Sequence, residues 1–219
     1  LVRDKGLVKT VRFGPVKYVG DPINAVKIFN EKEVDELIVL DIDATSKGTG
    51  PDFGMIEKLA AECRMPLCYG GGIKTVDQAK KVIRLGVEKV ALSAALQEDP
   101  SLVPLIAKEL GSQSVVAVLD VKKMFGARYE IFTHNANKGT GKDPVEFAAT
   151  LEKMGVGEIV INSIDNDGEM KGYDLVLAQK MRKATIVPVT ILGGAGSLND
   201  IEALVKKFGI IGAAAGSLF

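Results

Sequence analysis

The chain has 219 residues, 47% of them apolar, which suits one α/β domain with a substantial core. Basic and acidic residues both number 28, with no Trp and no basic block, so the charge footprint of a nucleic-acid binder is missing and small molecules are the expected partners. No apolar run approaches the roughly 18 residues of a membrane helix, and no signal peptide opens the sequence, so no membrane association and a cytoplasmic location are expected.

In chain order, short β-branched runs alternate with amphipathic stretches. ELIVLDI precedes MIEKLAAEC, PLCYGGG precedes TVDQAKKVIRLG, and EKVALSAA precedes SLVPLIAKELG. SVVAVLDV, PVEFAATLEKMG, GEIVINSID, LVLAQKMRK, IVPVTILGG, NDIEALVKKFG and IIGAAAG continue the series. Strands that are almost wholly apolar and joined by helices are buried on both faces, which means a parallel sheet. The helices carry one apolar stripe each, as in Ile56, Leu59, Ala60 and Cys63, or Ile201, Leu204, Val205 and Phe208. Cys63 and Cys68 lack CxxC spacing and read as one helix-buried and one strand-buried thiol, so no metal site is expected; no cofactor is expected either. The sequence starts without Met near the end of a first strand and stops at Ser217-Leu218-Phe219 before a last helix, so terminal segments are expected to lie outside it.

An internal repeat decides between an open sheet and a barrel. Asp41 and Asp165 are followed at nearly equal intervals by YGGGI (Gly70 to Gly72) and LGGAG (Gly193 to Gly196), and then by Ser93 and Ser217. The offset is about 123 residues, so the chain reads as a single (β/α)8 barrel domain over 1–219, with similar halves at about 1–110 and 111–219. An open doubly wound sheet would carry GxGxxG at its first strand-helix turn, and none occurs.

Chemistry in such a barrel sits at the C-terminal ends of the strands. Asp41, Asp43, Asp120, Asp165 and Asp167 all leave strands there, with Asp174 further along the loop. Asp often caps helices or holds loops, a role that fits Asp41, Asp43, Asp165 and Asp174 better than Asp120 and Asp167. His134, in IFTHNAN, reads as a loop residue. Glycine clusters between a strand and a helix let backbone amides approach a phosphate. Gly71 and Gly72 with Ser93 form one such cradle, and Gly193 and Gly194 with Gly216 and Ser217 the other, implying a substrate with two phosphates or similar anions.

The combination DPINAVKIFNEKEVDELIVLDID, PLCYGGGIK, GSQSVVAVLD, GEIVINSIDNDGEMKGYD and GGAGS resembles the cyclase subunit family of imidazole glycerol phosphate synthase over nearly the whole chain. The resemblance implies a (β/α)8 barrel that receives ammonia from a glutaminase subunit and passes it to a bisphosphate substrate. It places the family's acid-base aspartate on Asp120, the carboxylate after strand six on Asp167 and the loop lysine after strand one on Lys9. A charged ring at the barrel bottom, read as an ammonia gate, falls on Glu36, Lys89 and Glu158, with the glutaminase docking on that N-terminal face around Glu88 and Lys89.

The chain also departs from that pattern. The family's strand-one aspartate aligns with Leu1 or Val2, its Asn-Thr pair after strand four is Ser93-Ala94, its Thr before SID is Asn162 and its Ser before GGAG is Leu192. A kept ammonia route with a rewritten pocket resembles a paralogous branch that makes acetamidino sugars for surface polysaccharides. On that reading the substrate is a phosphorylated small molecule or a nucleotide sugar. The alternatives are the true histidine-pathway cyclase and a non-catalytic ammonia conduit. A phosphoribosyl isomerase with the same repeat would have no task for the bottom ring.

Overall fold

The computed structural model describes residues 1–219, the side chain of Ala127 excepted. The chain divides into two compact units, Leu1–Val8 with Lys17–Val116, and Lys9–Val16 with Ala117–Phe219.

In the first unit, β1 (Val2–Arg3) turns back through Asp4 and Lys5, both at positive φ, into antiparallel β2 (Gly6–Lys9), and β3 (Lys17–Gly20) extends this ribbon. The helix α1 (Pro22–Lys32) begins where Asp21 Oδ1 accepts from the amides of Ile23 at 2.8 Å and Asn24 at 3.1 Å. Pro22 at the first helical position loses no bond there. Three parallel strands follow, β4 (Leu37–Leu40), β5 (Leu67–Gly70) and β6 (Lys89–Leu92), with Leu37 opposite Leu67 and Cys68 opposite Lys89. Val2 bridges to Asp41 at the end of β4, in parallel sense. Helices α2 (Phe53–Glu62), α3 (Val76–Arg84), α4 (Ala94–Glu98) and α5 (Leu102–Leu110) supply the other layer.

The core of this unit joins Ile56, Leu59 and Ile106 from the helices to Leu67, Tyr69 and Val90 from the strands, all buried. Cys68 is buried as expected, but Cys63 is only half-buried, because α2 ends at it. Its Sγ–H donates to the Met65 carbonyl at 3.2 Å.

The chain passes into the second unit within β7 (Val115–Lys123), whose residues Val115–Leu119 are all buried. Beyond Asp120 this strand runs on as an antiparallel arm with β8 (Tyr129–Thr133) and β9 (Lys138–Gly139). His134 sits in the turn of that arm at φ +54, its Nδ1 3.0 Å from Thr133 Oγ1. The parallel sheet continues through β10 (Glu158–Ser163), β11 (Val189–Leu192) and β12 (Gly212–Ala213), with Asn162 opposite Leu192 and Ile191 opposite Ala213. Helices α6 (Pro144–Lys153), α7 (Leu175–Ala184) and α8 (Leu198–Phe208) alternate with these strands. The stripe expected on α8 is narrower than its sequence: Leu204 is fully buried, while Val205, one step further round the helix, is 44% exposed.

Every strand read from the apolar runs is present, as β4 to β7 and β10 to β12. Each unit alternates parallel strands with helices in the half-barrel pattern of a (β/α)8 chain. Among the described residues no helix is long and apolar enough to cross a membrane, and no group of His, Cys, Asp and Glu is placed to hold a metal ion.

Candidate active site

The second unit gathers Asp120 and Asp167. Asp120 lies where β7 leaves the parallel sheet, and its Oδ1 accepts from Asn162 Nδ2 at 3.1 Å. Burial raises its carboxyl to about 7; the Asn162 bond opposes that rise and the negative charge of Asp167 adds to it. A carboxyl poised near neutrality can both take and return a proton at physiological pH. Side-chain alternation puts Asn162 on the same face of β10 as Glu158 and Val160, so one strand carries polar groups at both ends with an apolar step between.

Asp167 follows β10 in the turn Ile164 to Gly168, and the segment after β2 lies against this turn. Thr10 Oγ1 donates to Asp167 Oδ2 at 3.1 Å, and the Arg12 amide donates to the Asp167 carbonyl at 2.8 Å. Gly168, at φ +71, has no room for a Cβ because the Thr10 carbonyl stands there. Burial raises the Asp167 carboxyl, and bonds from the Thr10 hydroxyl and the Phe13 amide hold it down. Thr10→Val therefore moves the Asp167 titration midpoint upward in carboxyl ¹³C NMR, since the lost bond favoured the charged form. An unchanged midpoint would show that Thr10 does not tune it. Lys9 is not joined to either carboxylate by a hydrogen bond or ion pair among the described residues; its Nζ donates to the Phe219 carbonyl.

The remaining carboxylates have structural work. Asp165 Oδ2 accepts from the Lys123 amide at 2.8 Å and its Oδ1 pairs with Arg12 at 3.8 Å, and Glu169 pairs with Lys171 at 2.7 Å. Asp174 caps α7 through the amides of Val176 and Leu177 and accepts from the Tyr129 hydroxyl at 2.9 Å. In the first unit, Asp41 Oδ1 accepts from the amides of Asp43 and Ala44 at 3.1 and 3.2 Å. The buried Asp43 pairs with Arg3 at 3.1 Å and Lys47 at 2.7 Å. Only Asp120 and Asp167, of the six singled out, neither cap a turn or helix nor form an ion pair among the described residues.

The glycine turns differ in detail. In the first unit Gly71 and Gly72 have φ of +139 and +69, and a Cβ would meet the Asp41 carbonyl at 2.8 Å and the Thr49 carbonyl at 2.6 Å respectively. Ser93 stands at the N-cap of α4 with no capping bond from its side chain. In the second unit Gly193 and Gly194 have φ of +93 and +107 and pack on the Ser163 and Gly172 carbonyls. There Asp200 Oδ2 already takes the amides of Gly196 at 3.0 Å and Ser197 at 2.9 Å, so a carboxylate occupies the start of α8. Around Gly216 an added Cβ would meet open space, and Ser217 follows in the same turn.

At the opposite ends of the strands, Lys89 Nζ lies 2.6 Å from Glu36 Oε2, both half-buried. Glu158 Oε1 accepts from the Thr190 hydroxyl at 2.7 Å. Glu88 Oε2 accepts from the Leu67 amide at 2.6 Å and so holds the start of β5.

The histidine biosynthesis protein family model matches residues 2–219. The chain belongs to this family. It is 56% identical to the "Putative imidazole glycerol phosphate synthase subunit hisF3" of Vibrio vulnificus (strain YJ016), covering 100% of this chain and 85% of the relative. It is 52% identical to the "Putative imidazole glycerol phosphate synthase subunit HisF" of Leptospira borgpetersenii, over 100% of this chain and 87% of that one. The "Imidazole glycerol phosphate synthase subunit HisF" of Hyphomonas neptunium (strain ATCC 15444) is 38% identical, over 100% and 86%. The chain is thus a HisF-like enzyme subunit of the (β/α)8 fold class.

The positions at which the sequence departs from the resemblance have defined surroundings. Val2, beside Asp41, is buried, and neither it nor Leu1 can carry a proton. Asn162 and Leu192 face each other across β10 and β11, so the two altered residues are strand neighbours. Thr10 and the Asn162–Asp120 bond are the site features that motif spacing did not disclose. Both arise from contacts between segments far apart in the chain.

Proposed function

We propose that the chain is the ammonia-using synthase subunit of a glutamine amidotransferase, acting on a phosphorylated small molecule with Asp120 and Asp167 as its proton-handling pair. The observation that carries the reading is Asp120 itself, a carboxyl raised to about 7 by burial and held by Asn162 beside a second carboxylate. Ammonia attacking an electrophilic carbon becomes a cationic nitrogen that must lose a proton, and a carboxylate of this basicity accepts it. The same group, once protonated, returns a proton to a leaving oxygen. Lys9, the loop lysine that the resemblance places after strand one, is assigned to the same catalytic group.

One phosphate is assigned to Gly71, Gly72 and Ser93, and another to Gly193, Gly194, Gly216 and Ser217. Because Asp200 fills the start of α8, the second phosphate relies on the glycine amides and Ser217 instead of that helix end. Crystals soaked in phosphate should carry density near Gly72 with Ser93, and near Gly194 with Ser217. Empty sites at high phosphate would remove the assignment.

Glu36, Lys89 and Glu158 are assigned to an ammonia gate, fed by a glutaminase subunit on the N-terminal face. A stable interface there buries on the order of 1,200–2,000 Å². The altered positions Leu1 or Val2, Ser93-Ala94, Asn162 and Leu192 favour a substrate other than that of the histidine pathway. On the resemblance to the paralogous branch, that substrate is assigned to surface-polysaccharide synthesis, as a phosphorylated small molecule or a nucleotide sugar. Expression in a histidine auxotroph lacking its cyclase subunit should give no growth without histidine. Rescue would return the substrate to the histidine pathway.

A further inference from the structure

A carboxamide has one donor end and one acceptor end, and in Asn162 the two have different fates. Nδ2 is committed to Asp120. Oδ1 is buried and meets no hydrogen-bond partner among the described residues, in a residue that is itself 6% exposed. Leaving a buried acceptor empty is costly, and such atoms are uncommon enough to need a reason. Two neighbouring residues offer no side-chain donor. Leu192, opposite in register, is apolar, and Gly193 has no side chain. A Cβ on Gly193 would stand 3.1 Å from Asn162 Oδ1 and 2.7 Å from the Ser163 carbonyl, so this turn passes close against the oxygen and a larger residue would crowd it.

The orientation of the amide is not arbitrary. Turned over, its oxygen would face the Asp120 carboxylate, and two acceptors would oppose each other whenever that group is ionised. With the nitrogen held by Asp120, the free oxygen is separated from the carboxylate by the amide group and its 3.1 Å hydrogen bond. A hydroxyl offers one proton and can satisfy one of these two acceptors. A nitrogen with two or more N–H bonds can satisfy both.

We propose that Asn162 Oδ1 and the Asp120 carboxylate form a subsite for a nitrogen bearing at least two N–H bonds, such as ammonia, a primary amine or an amidinium, with Asn162 also positioning Asp120. This deepens the proposed use of ammonia at Asp120 and rests on it for its place in the reaction, although its test does not require turnover.

The probe is acetamidinium chloride, titrated into ¹³C,¹⁵N-labelled protein, with tetramethylammonium chloride as a cation without N–H bonds. In the native protein acetamidinium should shift the Asn162 side-chain and Asp120 carboxyl signals saturably, and tetramethylammonium should not. In Asn162→Leu the acetamidinium affinity should fall roughly tenfold or more, the worth of a charge-assisted hydrogen bond. The Asp120 titration in that variant should also move above its native midpoint, because the lost donor favoured the ionised form while burial and Asp167 remain. Equal shifts from both cations, unaltered affinity in the variant, or an unmoved Asp120 titration would each overturn the subsite. If the binding results hold and no synthase turnover is found, the reaction reading fails and the subsite stands. Turnover without these shifts fails the subsite alone.

Discussion

Asp120→Asn should slow turnover by roughly 10²–10⁴-fold, the usual worth of one positioned acid or base, while the fold survives. The same change should stabilise the protein at high pH. The Asp120 carboxyl is raised from 3.8 to about 7 by burial, so the folded state holds its proton where the unfolded chain has released it. The stability linked to that proton is fully present below pH 3.8 and is lost as pH rises through about 7. The Asn variant, with nothing to ionise, should gain on the native protein across that window, by up to a few kcal/mol at pH 8, since each pH unit within it contributes about 1.4 kcal/mol. Thermal unfolding at pH 4 and pH 8 checks this: the two proteins should converge at the lower pH and separate at the higher. A residue that gives up stability for a reactive carboxyl is what a catalytic position requires. A loss of turnover of tenfold or less would instead favour an ammonia conduit with the chemistry elsewhere.

Lys89→Met should uncouple the nitrogen sources. Lys89 and Glu36 lie 2.6 Å apart at the starts of their strands, each half-buried, where desolvation is costly unless charges pair. A structural salt bridge would answer that need equally well, so stability alone does not separate the readings. A gate predicts a change in a ratio. With a glutaminase partner present, glutamine-dependent and ammonium-dependent rates should separate by roughly tenfold in the variant, the scale of one lost charged hydrogen bond. Rates that keep their native ratio, or a glutaminase that does not bind the N-terminal face, would leave the Glu36–Lys89 pair as a stabilising contact only.

The parallel strands are legible in the sequence because burial on both faces turns each into an uninterrupted apolar run, as in the wholly buried LCYG of β5. The arm of β8 and β9 is less so. Its buried residues Tyr129, Ile131 and Thr133 alternate with more exposed ones, a period-two signal confined to five residues and followed by a polar turn. Likewise α1 buries only Pro22 and Val26, so its sequence shows little of a stripe. Asp174 can be suspected as a cap because it precedes its helix directly. Asp120 and Asp167 stand out by position, but the groups that tune them do not. Thr10 is 157 residues from Asp167 and Asn162 is 42 from Asp120, and a lone hydroxyl or amide carries no local sign of such a partner. By position Asp43 belongs with the acids of the mouth, yet Arg3 and Lys47 bind it into a structural cluster that only the fold assembles.

The proposed ammonia chemistry is tested most directly by nitrogen incorporation. The purified chain, incubated with ¹⁵N-ammonium and a phosphorylated-metabolite extract, should produce a phosphorylated product carrying ¹⁵N by mass spectrometry, and Asp120→Asn should reduce that product by roughly 10²-fold or more. No labelled product from the native chain, or the same amount from both proteins, would contradict an ammonia-using synthase with Asp120 at its centre.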